Sequence, residues 1–330
     1  MNTFRKISGA AVLFGAAAIF SPAATDDAAG TAENSNGEER ETYTAAGDAL
    51  VWKSHLFTPF YARWSQSLPA SASKGGKVAK SIYGAGCSWR FIPENKTRIS
   101  ITSFDYSRSD YRFSGKAHRY SSVFKHTDSL RAMTYQEFIN PESGFAIAAL
   151  ASASASAEDR AGLEDGLAGA VGIGAKQYFT ETTSVTLGLV ASYNPARERW
   201  FLLPFFSLDW GISENLDLRL LNGVTLTWDV GGDNELIFDF YATYEMESFA
   251  VESDGNTASR YYGRDGAVTF DRVPVGVSAT WNLSENLYLN VGVDLNFRSK
   301  YRLYRGGHKT GEDFRLDPTP EFSVQVGVRF

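Results

Sequence analysis

The four histidines of the chain are the residues with the clearest capacity for catalysis, because imidazole is the commonest general base in enzymes. These histidines are His55, His118, His126 and His308. A serine hydrolase holds such a histidine within hydrogen-bond reach of a serine and orients it with a third group. The sequence contains neither a Gly-x-Ser-x-Gly nor a His-Glu-x-x-His motif. We therefore expect that the protein is not an enzyme, and a lipid hydrolase is the weakest functional alternative.

Cysteine usage and net charge exclude further classes of function. Cys87 is the only cysteine, so a disulfide framework and a multi-cysteine metal centre are both impossible. We expect no bound metal and no cofactor. The formal net charge of -6 argues against a nucleic-acid-binding protein, because such proteins present basic surfaces.

Charged residues recur at alternate positions among apolar ones in the C-terminal third of the chain. They are Asp239, Glu245, Glu247, Arg272, Asp294 and Arg298. Alternate residues of a β-strand share one face, so these side chains are predicted to line the interior of a closed sheet. Such an interior is either a water-filled pore or a lumen filled by ion pairs that stabilise the wall. The sequence leaves both alternatives open.

Alternation with a period of two continues through most of the chain and decides the fold class. Apolar residues occupy every second position from Phe322 to Phe330, with polar residues or glycine between them. The predicted strands have about 10 to 16 residues, which is longer than in globular sheets and enough to cross a bilayer at a tilt. Short connections alternate with long ones, and aromatic residues lie near strand ends, as in outer-membrane barrels.

The sequence therefore predicts an all-β protein, a transmembrane antiparallel up-and-down β-barrel over residues 48–330. A soluble β-sandwich also alternates, and it is the less favoured alternative. Fourteen strands fit the pattern, with the first one between Asp48 and Arg63 and a loop from Ser65 onward. Twelve strands are possible if residues 216–222 and 223–230 form one bent strand and Asp48 to Arg63 form a plug or periplasmic segment instead of a strand.

The N-terminal residues read as an export signal followed by a polar segment. Residues 1–23 combine Arg5 and Lys6, an apolar stretch, and small residues before a cleavage site after Ala23. Residues 24–47 are small, polar and acidic, which predicts a flexible periplasmic segment without a core of its own.

The last strand carries the one specific resemblance in the chain. The segment formed by Phe322, Val324, Val326, Val328 and Phe330 resembles the recognition signal that the bacterial outer-membrane barrel assembly machinery reads on its clients. The pattern over about residues 200–330 is similar to uncharacterised outer-membrane barrel families. The resemblance implies a location in the bacterial outer membrane and assembly through periplasmic chaperones, and it implies no activity.

Basic residues concentrate in two segments that the alternation places at the outer rim. They are Arg112, Lys116, Arg119, Arg302 and Arg305, with tyrosines beside them. Such residues could bind the phosphates of lipopolysaccharide through charge-assisted hydrogen bonds, or attract anionic solutes to the mouth of a pore. A solvated rim without specific binding is the third alternative.

A passive channel for small hydrophilic solutes is the function that these patterns favour. The alternative is a non-conducting structural or surface-binding barrel that works through its outer loops. A lipid-modifying barrel enzyme is a distant third. Outer-membrane lipid and lipopolysaccharide are the expected partners in each case.

Overall fold

The computed structural model describes residues 60–91, 97–180, 182–232, 234–252, 266–284, 286–310 and 313–328. The predicted signal peptide over residues 1–23, the acidic segment over 24–47, and the C-terminal Phe330 lie outside the described residues.

In these ranges, fourteen antiparallel strands follow one another in chain order and close into a barrel. They are β1 (Phe60–Ser67), β2 (Lys77–Phe91), β3 (Arg98–Ser114), β4 (His126–Asn140), β5 (Phe145–Glu158), β6 (Leu167–Tyr178), β7 (Thr183–Asn194), β8 (Arg199–Ser213), β9 (Leu216–Leu220), β10 (Gly223–Asp229), β11 (Leu236–Thr243 continued by Glu245–Val251), β12 (Gly266–Ser284), β13 (Leu287–Arg305) and β14 (Thr319–Val328). Strand β14 pairs with β1 and closes the sheet. The predicted barrel and its fourteen strands are confirmed.

Two details of the strand prediction are settled by the pairing. Strands β9 and β10 are separate and joined by a turn at Leu221 and Asn222, so the twelve-stranded alternative is wrong. The first described strand extends through Ser67, because Ser65 and Ser67 pair with residues of β14. The predicted loop from Ser65 onward therefore begins three residues later than expected, at Leu68. Residues 48–59 lie outside the described residues.

The outward face of the barrel is an apolar belt. The end of the barrel at which Phe60 and Val328 pair is called the lower end, and aromatic side chains are exposed around it. They are Trp89, Phe91, Phe138, Phe145, Phe179, Trp210, Trp228 and Trp281. An exposed apolar belt bordered by aromatic residues and a polar interior are the properties of a barrel that spans a membrane.

The connections are shorter at the lower end than at the opposite, upper end. One lower turn comprises residues 214–215, whereas the upper connection between β3 and β4 contains the 3-10 helix Gly115–Ser122. Among the described residues, no helix has the length and apolar character needed to cross a membrane.

The upper parts of β11, β12 and β13 leave the cylinder and cross its mouth. We call this unit the strap, and it consists of Glu245–Val251 with residues 266–271 of β12 and 300–305 of β13. Its first strand reaches the opposite wall, where Ala250 forms a parallel bridge to Ala157 of β5. The strap begins at a break in the β12–β13 register between Asp271 and Val273. Such a bulge bends the strands.

The same bulge corrects one sequence prediction. Arg298 adopts a left-handed backbone with φ of 53° and is exposed. Asn296 and Ser299 are the buried residues on either side of it. The alternation therefore shifts by one residue here, and Arg298 does not belong to the inward series in which it was predicted.

Candidate functional site

A cavity of about 290 Å³ lies inside the barrel, beneath the strap. One of its walls is formed by small inward side chains of β3 to β7. The serines among them are Ser107, Ser109, Ser129, Ser152, Ser154, Ser156 and Ser192. Because alternate positions of these strands carry such small side chains, the barrel interior is left unfilled at this height. The opposite wall carries charged residues of the strap and of its neighbours.

Arg272 fixes the base of the strap with ion pairs on both sides. Its Nε donates a hydrogen bond of 2.6 Å to Oε2 of Glu245, and its Nη1 donates to Glu321 of β14. The amide of Asn296 donates to the same Glu321 carboxylate at 3.1 Å. Arg272 and Glu321 are buried, so these charges are stabilised by one another and little by bulk water.

Lys80 of β2 fixes the strap from across the lumen. Its ammonium donates to Oε2 of Glu247 at 2.9 Å, and it lies 5.2 Å from the ring centroid of Phe270. The side chain of Lys80 is 5% exposed. This pair connects two walls that are distant in sequence, and it therefore restricts movement of the strap.

Asp105 of β3 forms a third polar group at the cavity. It accepts hydrogen bonds from the hydroxyl of Tyr61 at 2.5 Å and from Nη2 of Arg63 at 2.9 Å. Some residues that line the cavity also carry a buried polar atom with no hydrogen-bond partner within the described ranges, among them Arg131 with its Nη1 and Asp294 with its Oδ1. Buried polar groups are normally satisfied, so these atoms show that the charged wall of the cavity is not fully paired within itself.

The structure brings most of the predicted inward residues to the lumen side. Glu245, Glu247, Arg272 and Asp294 line the cavity. Asp239 lies outside it, is buried, and accepts a 2.7 Å hydrogen bond from the hydroxyl of Thr227.

Sequence reasoning missed the contribution of β1 to β4. Arg63, Lys80, Asp105 and Arg131 are as central to the lumen as the predicted residues. The sequence did contain a signal for these residues. Trp89 is exposed on the outward face of its strand, so every second residue counted from it faces outward and the residues between face inward.

An aromatic cluster closes the mouth on the side of β2 and β3. It joins the 3-10 helix Gly115–Ser122 to the strap, and its buried rings are Tyr111, Tyr120, Phe124, Phe249, Phe270, Tyr301 and Phe314. The ring centroids of Tyr120 and Phe314 are 4.3 Å apart. Burial of this many aromatic side chains stabilises the closed arrangement of the upper end.

The predicted basic rim contains exposed residues and residues that already contact the protein. Arg112, Lys116 and Arg305 are exposed, whereas Nη2 of Arg119 donates a 2.7 Å hydrogen bond to the hydroxyl of Tyr120. Arg302 donates from Nη1 and Nη2 to the carboxylate of Asp271 inside the strap, so part of its guanidinium is engaged there.

Ion pairs also fix the upper loop between β13 and β14. The ammonium of Lys300 lies 2.7 Å from Oδ2 of Asp313, and Lys309 approaches the same oxygen at 3.4 Å. The hydrogen bond from Lys300 and the two positive charges lower the pKa of Asp313 to about 2. A lowered pKa stabilises the loop above the ordinary carboxyl pKa of about 4. That stabilisation is lost as the pH falls through the lowered value.

The terminal strand presents its apolar residues outward. Phe322, Val326 and Val328 are exposed and Val324 is partly exposed, whereas Phe330 lies outside the described residues. Within the described ranges, no group of three or more His, Cys, Asp or Glu residues is arranged to hold a metal ion.

No protein-family profile matches the chain, and no curated protein matches it in sequence. Among solved structures, the NanC porin is 7% identical, with a TM-score of 0.37 over 82% of this chain and 100% of the porin. A KdgM porin in complex with disordered oligogalacturonate is 7% identical, with a TM-score of 0.33 over 82% of this chain and 99% of the porin. An outer-membrane channel from Pseudomonas putida F1 is 10% identical, with a TM-score of 0.43 over 82% of this chain and 94% of the channel. Each likeness is remote.

Proposed function

We propose that the protein is a passive channel for small hydrophilic solutes in a bacterial outer membrane. The observation that carries this proposal is the cavity inside the barrel beneath the strap, with its serine wall and an incompletely paired charged wall. A barrel filled only for stability would pair such groups with one another, because an unpaired buried polar atom costs about 1–3 kcal/mol. An unfilled polar interior beneath the strap would form the central part of such a solute pathway.

The strap gives this channel its constriction. It crosses the mouth above the cavity and carries Glu245 and Glu247, each paired with a cation of the wall. A solute has to pass beside these charges, so size and charge are selected at this level. The channel is therefore narrow, and its conductance is expected to be small compared with that of an open barrel of the same strand number.

Single-channel recording in a planar bilayer tests the proposal. Refolded protein whose unheated form migrates differently from the heated form in electrophoresis should give small, discrete current steps. Glu247→Gln should shift the ion selectivity of these steps away from cations, because it removes a negative charge from the cavity wall. Lys309→Gln changes a charge in the exposed upper loop and is the matched control. Silence from correctly folded protein would contradict the proposal.

A non-conducting barrel is the second candidate, and the aromatic cluster is the observation that favours it. This cluster packs the 3-10 helix Gly115–Ser122 against the strap and closes one side of the mouth. In a barrel whose mouth stays closed, the bilayer recording gives no current, and function then depends on binding by the exposed outer loops. The same experiment therefore separates the two candidates.

Location and assembly belong to the same proposal. The apolar belt fits a membrane, the N-terminal pattern fits export, and the outward residues of β14 fit recognition by the barrel assembly machinery. Lipopolysaccharide contact is proposed for Arg112, Lys116, Arg119 and Arg305, which lie at the upper end. Arg302 is left out of that group, because Nη1 and Nη2 of its guanidinium already donate to Asp271.

A further inference from the structure

Within the described residues, the pairing of the barrel wall is incomplete above the short hairpin formed by β9 and β10. Strand β8 pairs with β9 only between Leu208 and Ser213. Residues 199–207 of β8 pair with β7 on one side, and no described strand pairs with them on the other. On the far side of the hairpin, β10 pairs with β11 only up to Thr243, below the strap.

The unpaired part of β8 lies within the apolar belt. Trp200 and Trp210 are exposed on this strand, and they mark the two borders of the belt. The paired segment begins at Leu208, close to the lower border, so the open edge spans the upper part of the belt. Unpaired backbone groups facing hydrocarbon cost several kcal/mol each, which makes a simple gap in the wall unfavourable.

The side chains of this segment are bulky and apolar on both faces. Leu202, Pro204 and Phe206 are exposed on the outward face. Phe201, Leu203 and Phe205 alternate with them and point to the inside. The ring of Phe205 lies against Gly188 of β7, where a Cβ would come within 2.2 Å of it.

Pro204 is consistent with an edge that has no partner strand. Proline has no backbone N–H and is confined in sheets to edge strands and bulges. Its position in the middle of residues 199–207 therefore agrees with a permanent edge.

The lumen cavity lies next to the open edge, although no residue of 199–207 lines it. Residues 192–195 of β7 and its following turn line the cavity beside β8, and residues 245–249 of the strap line it on the other side. At the upper border, the guanidinium groups of Arg197 and Arg199 lie 5.5 Å and 4.7 Å from the ring centroid of Phe201. The opening thus has an apolar floor, cationic groups at its upper border and a polar cavity behind it.

We propose that this gap is a side opening through which small amphipathic molecules move between the lumen and the membrane. The apolar part of such a molecule follows Phe201, Leu203 and Phe205, and its polar part occupies the cavity and satisfies the free edge of β8. Passage through the wall is a route in addition to hydrophilic transport along the barrel axis, and it stands whether or not that transport occurs.

Lipid access to an inward residue tests the opening. Leu203→Cys is made in a Cys87→Ala background, labelled with a bimane fluorophore and refolded into phosphatidylcholine vesicles that contain nitroxide-labelled lipid. Ser154→Cys is the matched inward control, because both edges of its strand are paired at that position. Leu202→Cys is the outward control, since its side chain is exposed on the belt.

Quenching at Leu203 should approach that at Leu202 and exceed that at Ser154 several-fold. Octanoate, a small amphipathic carboxylate, should reduce quenching at Leu203 and leave it unchanged at Leu202. Quenching at Leu203 as weak as at Ser154 would show that the wall is closed, or covered by another chain, and would overturn the proposal. An absence of any octanoate effect would overturn it as well. Neither result depends on the current recording, so failure here is distinct from failure of the channel proposal.

Discussion

Arg272 is the residue that joins the strap to the terminal strand through ion pairs. Its guanidinium pairs with Glu245 within the strap and with Glu321 in the terminal strand. Removing one partner from a buried ion pair leaves the other charge without compensation, which costs about 3–5 kcal/mol. The position therefore combines a structural role with control over the constriction.

Arg272→Gln is expected to lower the stability of the barrel by a few kcal/mol and to loosen the strap. Thermal unfolding monitored by electrophoretic mobility measures the first effect, and a larger single-channel conductance measures the second. The exposed pair of Lys309 with Asp313 is the control, because an ion pair of this kind contributes about 0–1 kcal/mol. Equal losses of stability in Lys309→Gln and Arg272→Gln would contradict the prediction, because the buried ion pairs of Arg272 would then contribute no more than an exposed pair.

The free basic residues allow a second prediction at this scale. Arg112→Ala combined with Lys116→Ala should reduce the lipopolysaccharide that co-purifies with the protein, because both side chains are exposed at the upper end. Quantification of the co-purified lipid gives the result. Arg302→Ala serves as the control, since Nη1 and Nη2 of its guanidinium already donate to Asp271 inside the strap. Unchanged lipid content in the double variant would contradict the prediction.

Among the elements, the seam between the first and last strands depends on pairs of tyrosine and glycine. Tyr61 of β1 pairs with Gly86 on one side and with Gly327 on the other. The ring of Tyr61 covers Gly86, and the ring of Tyr288 covers Gly327, where a Cβ would lie 2.0 Å from the ring. The glycines give these inward rings a place in the wall.

Gly327→Val is therefore expected to destabilise the seam by about 1–3 kcal/mol through overpacking against Tyr288. Urea titration of the folded fraction in detergent measures the loss. Gly169→Val is the same substitution at a position where the added Cβ meets only the carbonyl oxygen of Ser152, at 3.4 Å. Equal losses in the two variants would show that a valine in a strand, rather than the ring, is responsible.

Elements also show how much the sequence could predict. Alternation gave the strands and their number, because one buried face and one lipid face impose a period of two on each strand. It could not give the strap, since residues 266–271 and 300–305 continue to alternate after they leave the cylinder, and a shift of one residue at the bulge does not show where the strands turn. The departure depends on a bulge and on pairing with a distant wall, through Lys80 and Ala157.

The lumen site could be predicted only in part, because its ion pairs join strands that are distant in the sequence. Inward charges such as Glu245 and Arg272 follow from parity alone, but their partners are set by the three-dimensional order of the strands. The segment Trp200 to Phe206 is the opposite case. Its seven apolar residues in a row interrupt the alternation, and this interruption is the sequence signal of the side opening.

At the scale of the whole molecule, the strap, the cavity and the side opening form one arrangement. The strap covers the cavity from above, the serine wall keeps it open, and the short hairpin β9–β10 leaves it accessible from the side. Each of these features departs from a uniform cylinder, and all three lie in the upper half. The lower half, with its complete pairing and aromatic border, supports them.

The closing seam has a consequence for biogenesis. Ser65 donates a hydrogen bond to Glu321, a residue 256 positions later in the chain. The sheet cannot complete its circle until that last strand has been synthesised and brought back to the first. A prematurely terminated chain therefore retains two unsatisfied edges, which leaves it open to proteolysis. Barrel closure therefore distinguishes complete chains from truncated ones, because only a complete chain can pair its last strand with its first.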